Sequence, residues 1–295
     1  MRAYVVIAII AYVAFAINSV VDKFLLRKSI QDAATYAFYT GVLSLSALLL
    51  FPFGFSIPTL YIVIVALASG ACFVYALIAF YVSLKNQDAS VVLPTIGAIV
   101  PVITLVFSYF LTGERLALPE IIGLSLLVFG TALLSGNRRE HKQGSWLSMA
   151  LLGAVLFAMS FSLAKVVYLN QSFISGLIWT RLGLGLGAAT ILLAPGARRK
   201  IFHTTRTLPR ASGALFFAGQ ILAAGGGIMQ NLAVSLGSVT IVNALQGTQF
   251  AFLFVLTWFL SNRYPKILRE DYTFPAVVRK SLAVVIIGAG LILIA

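Results

Sequence analysis

What most constrains this chain is a succession of roughly ten apolar stretches of about 20 residues, joined by short links. That is the length an α-helix needs to cross the hydrocarbon core of a bilayer. The stretches fall at about 3–22, 33–51, 60–83, 89–111, 119–136, 146–168, 172–194, 211–235, 238–260 and 276–295. Barrel strands would instead read as roughly ten-residue segments of alternating polarity. Hydrophobic residues make up 60% of the chain and charged residues 10%, against about 45–50% and about 25% in soluble domains. A soluble enzyme, a DNA-binding protein and an extracellular disulfide scaffold are therefore excluded. The single cysteine, Cys72, cannot form an intrachain disulfide. Met1-Arg2-Ala3 opens directly into the first stretch without a signal-peptide pattern, so that stretch is expected to stay as a helix. The expected fold is an all-α membrane protein with ten transmembrane helices. Leu169–Gln171 and Gly237-Ser238 are such short links that the helices they join must run antiparallel.

The chain also carries an internal echo. Residues 8–54 laid over 150–196 without a gap align Lys23 with Lys165, Gly41 with Gly183 and Gly54 with Gly196. Further on, Val106–Leu111 aligns with Val255–Leu260, and Gly130 with Gly288. The expected organisation is two five-helix halves, 1–140 and 141–295. Five is odd, so the second half must enter the membrane from the opposite side. The charges test this independently: 17 Lys and Arg fall on the side opposite the N-terminus and 2 on the side of the N-terminus, with Lys165 and Arg181 inside stretches. By the positive-inside rule the richer side is cytoplasmic. The net charge of +13 is then topology charge facing anionic lipid, with no nucleic acid implied.

Two five-helix halves in about 300 residues resemble the drug/metabolite transporter superfamily, and within it the ten-helix EamA-type members. The segment "VVLPTIGAIVPVITLVFSYFLTGERL", with Pro94 and Pro101, is similar to that family's proline-containing fourth helix, which ends in a small-Gly-Glu turn, here Thr112-Gly113-Glu114. "IIGLSLLVFGTALL" (121–134) is similar to its glycine-containing fifth helix. The second half departs from the pattern: Ala244 and Ala251 stand where prolines occur in the first half, Asn262-Arg263 replaces the Gly-Glu turn, and "YPKILREDYTF" lengthens the loop before the last helix. The resemblance implies inverted bundles that alternate access to a mid-membrane cavity, and export of small metabolites across the cytoplasmic membrane.

Polar groups in hydrocarbon are costly and mark pathways unless they pair. By hydropathy no carboxylate falls in the middle of a stretch. Asp22 comes closest, at the end of the first, which offers Asn18 further in. Small multidrug resistance relatives use a first-helix carboxylate to exchange protons for cations, and the pattern here disfavours that mechanism. Arg181 lies about 13 Å into the seventh stretch. Two readings stand for it: an anchor for a substrate carboxylate or phosphate, or a structural arginine capping carbonyls or packing on aromatics. Lys165, nearer a membrane face, is expected to snorkel. Asn243, Gln246 and Gln249 at i, i+3 and i+6 form a polar stripe on the ninth stretch, suited either to a polar substrate or to helix–helix hydrogen bonds. The eighth stretch adds Gln220 and a Gly225-Gly226-Gly227 run read as packing glycines, and Tyr39 and Trp179 are candidate aromatic walls.

His141 and His203 lie in basic loops, and no HExxH, Walker or GxSxG motif occurs. No catalytic residue, metal or cofactor is expected, and the partners are a small-molecule metabolite and membrane lipid, as monomer or homodimer. A lipid or lipid-linked flippase is the alternative function, and a membrane-embedded enzyme a weaker one.

The charge asymmetry places both termini outside and the loops around 137–144, 196–210 and 263–280 in the cytoplasm. Single cysteines at positions 145 and 295, in a Cys72→Ser background, should label from opposite faces of the membrane. Labelling of both from one face would refute this topology.

Overall fold

The structure is a computed structural model that describes residues 2–28, 32–87, 89–135, 145–207, 209–261 and 274–294. Among these the regular elements are all helical. They are α1 (Ala3–Lys28), α2 (Ala33–Ser44) continued by a 3₁₀ segment (Leu45–Phe53), α3 (Leu60–Asn86), α4 (Ala89–Thr112), α5 (Leu118–Leu134) and α6 (Ser145–Asn170). The chain continues as α7 (Phe173–Ile191), α8 (Pro195–Thr207), α9 (Arg210–Leu236), α10 (Val239–Ala244), α11 (Gln246–Ser261) and α12 (Phe274–Ile294). Seven of the helical segments are long and apolar enough to cross a membrane, beside shorter apolar runs at Ala3–Ser19, Leu118–Leu134 and Val239–Val255. The protein is a multi-pass membrane protein. Asn262-Arg263 and the basic residues of 136–144 and 262–273 lie outside the described residues.

Three departures from the sequence expectation have physical causes. The helix α1 outlasts its apolar run by six residues, through a charged final turn and a half. The segment 195–207, expected as loop, is the amphipathic helix α8, whose average polarity hides its one-sided pattern: Ile201 is buried while Arg198, Arg199 and Lys200 are exposed. The ninth stretch breaks at Leu245 into α10 and α11. There Gly247 lies so close to α5 that an added Cβ would collide with Thr131 Oγ1. Through Pro94 and Pro101, by contrast, α4 stays continuous.

In lipid, apolar side chains gain nothing by leaving the solvent, so helices associate where small residues let backbones approach. The closest approach is between α3 and α7. A Cβ at Gly70 would strike the backbone of Leu184, Thr180 and Gly183, and a Cβ at Gly183 would strike the backbone of Leu67. Next along α7, Gly187 meets Ala71 and Val74, and Gly41 of α2 meets Ala188. The other principal pairs are α3 with α6, α1 with α9, and α5 with α12, whereas α2 and α9 barely touch. Only 17% of the span Ala33–Phe53 and 17% of α9 are buried, against 50–61% for α3, α4 and α7.

Polar ties finish the ends. The Lys165 ammonium does not snorkel. It donates to the carbonyls of Val234 (2.8 Å), Ser235 (3.3 Å) and Gly237 (2.8 Å), capping the C-terminus of α9, where the helix leaves acceptors unfilled and carries partial negative charge. The Thr112-Gly113-Glu114 turn, with Gly113 at φ 69°, joins α4 to α10: Thr240 Oγ1 lies 3.0 Å from Ser108 Oγ and 3.3 Å from Glu114 Oε2. Outside the membrane spans, Lys200 of α8 pairs with Asp32, the N-cap of α2, at 2.8 Å. Partial burial pushes the Asp32 carboxyl up, but the Lys200 ammonium and the Thr35 donors outweigh it and hold it below the ordinary carboxylate range.

The glycine seam yields a direct test. Gly70→Ala forces a methyl into the α7 backbone and should destabilise the protein by about 1–3 kcal/mol, the scale of overpacking. Gly288→Ala, in a helix where an added Cβ meets nothing within 4 Å, should leave it unchanged. Thermal unfolding in one detergent compares them, and equal midpoints would discount the seam.

Candidate functional site

A cavity of about 560 Å³ lies in the middle of the bundle, bounded by α1, α2, α3, α4, α6, α7, α9 and α11. It falls within the range of about 300–1,000 Å³ that holds drug-sized ligands. Much of the wall is aromatic or aliphatic. Phe73 of α3 meets Phe157 and Phe161 of α6 with ring centroids 5.3 and 6.0 Å apart, and Phe80 adds a third contact to Phe157 at 6.3 Å. Against this apolar surface polar groups converge from α1, α2, α7, α9 and α11.

Arg181, the ninth residue of α7, lines the cavity. Its Nη2 lies over Gly227, 3.3 Å from where a Cβ would sit, so this glycine makes room for the guanidinium. Gly226 packs on Phe15 of α1, and Gly225 faces open space. The glycine run therefore has three different surroundings within one continuous helix. Beside Arg181, the Tyr168 hydroxyl donates to Asn231 Oδ1 (2.8 Å) and Asn231 Nδ2 donates to the Gly227 carbonyl (2.7 Å). Among the described residues the guanidinium itself has no hydrogen-bond or ion-pair partner. The ion pairs there are Arg2–Glu120 and Lys200–Asp32.

Because α1 runs on to Lys28, Asp22 is not at the end of a helix but well inside one, and it lines the same cavity. Asn18 Nδ2 donates to Asp22 Oδ2 at 3.0 Å and the Tyr36 hydroxyl donates to Asp22 Oδ1. Asn18 is buried, and its Oδ1 has no partner. Nearby, Gln249 Nε2 donates to Ser19 Oγ at 3.1 Å. The starts of α1 and α7 lie on one side of the bundle, since Tyr4 packs on Gly237 at the end of α9 and Lys165, near the end of α6, caps that same end. Counting about 1.5 Å per residue from those starts, Asp22 and Arg181 sit about 16 Å apart in depth. The cavity thus holds a guanidinium toward one end and a carboxyl group toward the other.

Of the residues expected to form a site, Arg181, Asn18, Gln220, Gln246 and Gln249 line the cavity. Three do not. Asn243 is buried on α10 and donates to Thr104 Oγ1 of α4 at 3.2 Å, because the break at Leu245 turns it away from the face of Gln246 and Gln249. Trp179 Nε1 donates to the Ser56 carbonyl (3.0 Å) and its ring stacks on Phe55, beyond the cavity. Tyr39 reaches the other way, its hydroxyl donating to the Ile201 carbonyl of α8 at 3.2 Å. Asp22, missing from the expected set, could have been found from its i+4 spacing to Asn18, which puts both on one helical face. Among the described residues no group of three or more His, Cys, Asp or Glu could hold a metal ion.

Comparison with known proteins bears on this fold. Residues 2–136 match the sequence model of the EamA-like transporter family, which belongs to the drug/metabolite transporter superfamily. No curated protein matches. A chain solved as "Crystal structure of protein" superimposes with a TM-score of 0.66 over 100% of this chain and 97% of its own, at 14% identity. That likeness shows a common fold over the length of the chain and carries no function.

The two kinds of amide separate experimentally. Asn243→Ala removes a buried interhelical hydrogen bond and should lower stability by about 0.6–1.7 kcal/mol, while Gln246→Ala should leave the unfolding midpoint unchanged. Substrate-induced stabilisation should behave in reverse, falling with Gln246→Ala alone.

Proposed function

We propose that this multi-pass membrane protein, whose residues 2–136 match the EamA-like transporter family, is a secondary transporter moving small polar or amphipathic metabolites across the cytoplasmic membrane. Its architecture is ten helices in two inverted repeats, 1–140 and 141–295, and its direction is export. The observation that carries this reading is Arg181, a permanent cation in a mid-span cavity with no hydrogen-bond or ion-pair partner among the described residues. An arginine held in hydrocarbon needs compensation, and an anionic group of the substrate provides it. A carboxylate or phosphate there meets the guanidinium fork in a largely apolar enclosure, where charge-assisted hydrogen bonds exceed neutral ones. Asn18 Oδ1, Asp22, Gln220, Gln246 and Gln249 line the same space and suit the donor-bearing remainder of the molecule, and the Phe73–Phe157–Phe161 wall suits an apolar part.

Alternating access is supported by the pairing of the helices. If the halves correspond in order, α1 matches α6, α2 matches α7, and α3 matches α9. The contact of α3 with α6 then has its mate in α9 with α1, and both are extensive. The contact of α3 with α7 has its mate in α9 with α2, and here the two differ: one is sealed backbone to backbone and the other is open. Two inverted halves that exchange these arrangements expose one cavity to either side in turn.

Arg181→Gln should weaken binding of anionic or zwitterionic substrates by about 1.5–3 kcal/mol, roughly 10- to 150-fold. Arg181→Lys keeps the charge but loses the fork, so it should fold and transport weakly. Flux in reconstituted vesicles over a metabolite panel, beside substrate-induced thermal stabilisation, measures both. Wild-type flux and stabilisation in Arg181→Gln would exclude the anchor. Failure of both variants to fold would make the arginine structural and leave Gln246 and Gln249 as the binding groups.

A further inference from the structure

The cavity is not enclosed all round. Its exposed wall residues are Ser46 and Leu49 on the 3₁₀ segment and Phe217, Ile221, Ala224 and Ile228 on α9. The remaining described wall residues, on eight α-helices and the 3₁₀ segment, are buried or half-buried. Exposure of the cavity is therefore confined to the seam between two elements. The spans that carry them are the least buried of the seven that are long and apolar enough to cross a membrane, and they barely touch. Leu49 is 78% exposed and Ile221 60%, and Gly225 beside them has open space where a side chain would be. Counted at about 1.5–2 Å per residue from the ends of their helices, Ile221 and Ala224 lie about 16–21 Å into α9, and Leu49 lies about 6–8 Å from the end of the 3₁₀ segment. The seam opens on lipid.

We infer that this seam is a lateral portal, and that the substrate is a single-chain amphiphile whose anionic head sits at Arg181 while its hydrocarbon tail lies in the portal between the 3₁₀ segment and α9. Three observations combine here. The cavity holds a guanidinium that has no partner among the described residues and lies over Gly227 of α9. Phe73, Phe157, Phe161 and aliphatic side chains make up much of the cavity wall. The lip itself is apolar except for Ser46. A wholly water-soluble metabolite would gain nothing from a portal into hydrocarbon, whereas a tail left there loses no apolar burial while the head enters the cavity. A volume of about 560 Å³ takes the head and the first part of one chain, and the portal accommodates the rest without enlarging the cavity. The inference rests on the transporter reading and narrows its substrate class.

The test uses the full-length protein in phosphatidylcholine nanodiscs and a twelve-carbon fatty acid carrying a mid-chain diazirine as the probe. After photolysis, labelled peptides should concentrate in 45–53 and 210–236, and dodecanoate should compete at least tenfold better than butyrate. Labelling should fall at least tenfold in Arg181→Gln and in Ala224→Trp, which fills the lip, and should not change in Val285→Trp on the lipid-facing side of α12, where Val285 is 67% exposed. Labelling spread evenly over the lipid-facing helices, or indifferent to Ala224→Trp, would overturn the portal. So would labelling of the seam that disappears when two copies share a disc, which would assign this face to a second chain. Vesicle flux distinguishes the two levels. Flux of short soluble substrates without portal labelling leaves the transporter and removes the portal. Arg181-dependent labelling without flux of any substrate removes the transporter and leaves an amphiphile-binding site.

Discussion

The arrangement depends on the meeting of α3 and α7 without side chains between them. In a bilayer the helices have no solvent to escape, and van der Waals contact at close range must hold them. Gly70 supplies that range by letting the backbone of α7 at Thr180, Gly183 and Leu184 come against α3. Those residues flank Arg181 on the same helix, so the contact that fixes the rotation of α7 also aims the guanidinium at Gly227 on the other side. A Cβ at this seam would displace the charge as well as the helix.

Two basic residues inside the membrane illustrate how one chemistry divides. Lys165 is three residues short of Tyr168, a neighbour of Arg181, yet its ammonium finds three carbonyls and becomes part of the scaffold. Arg181 has comparable donors and finds none among the described residues. A buried charge with a complete set of acceptors needs no ligand, and one without is open to a ligand. The distinction lies in partners, and burial alone does not reveal it.

That distinction also explains what was legible in the sequence. The spans could be read because long apolar runs have few other uses, and Arg181 because a charge within such a run is conspicuous. Asp22 was not, since hydropathy falls off in "VVDKFLLRK" before the helix ends, and the edge of an apolar run is not the edge of a helix. Asn243 was placed on the face of Gln246 and Gln249 by assuming an unbroken period, and the break at Leu245 accompanies the approach of Gly247 to Thr131, 116 residues earlier in the chain. Ring type alone places Trp179 and Tyr39 at the cavity. Their polar tips instead meet carbonyls at Ser56 and Ile201, contacts that no local pattern announces.

The Lys165 cap has a consequence for biogenesis. Ribosomes deliver α6 to the membrane before α9 exists, and the carbonyls that complete the ammonium lie 69–72 residues downstream. During that interval a lysine in a nascent span carries an uncompensated cost of up to about 2.5–3.5 kcal/mol, as insertion scales record for the centre of a helix. The cost falls only when α9 arrives with its C-terminus beside α6. Insertion of the second half is therefore coupled across three helices. The α6–α7 pair has reason to wait, at the translocation channel or against the first half, until the helix that caps it has been made.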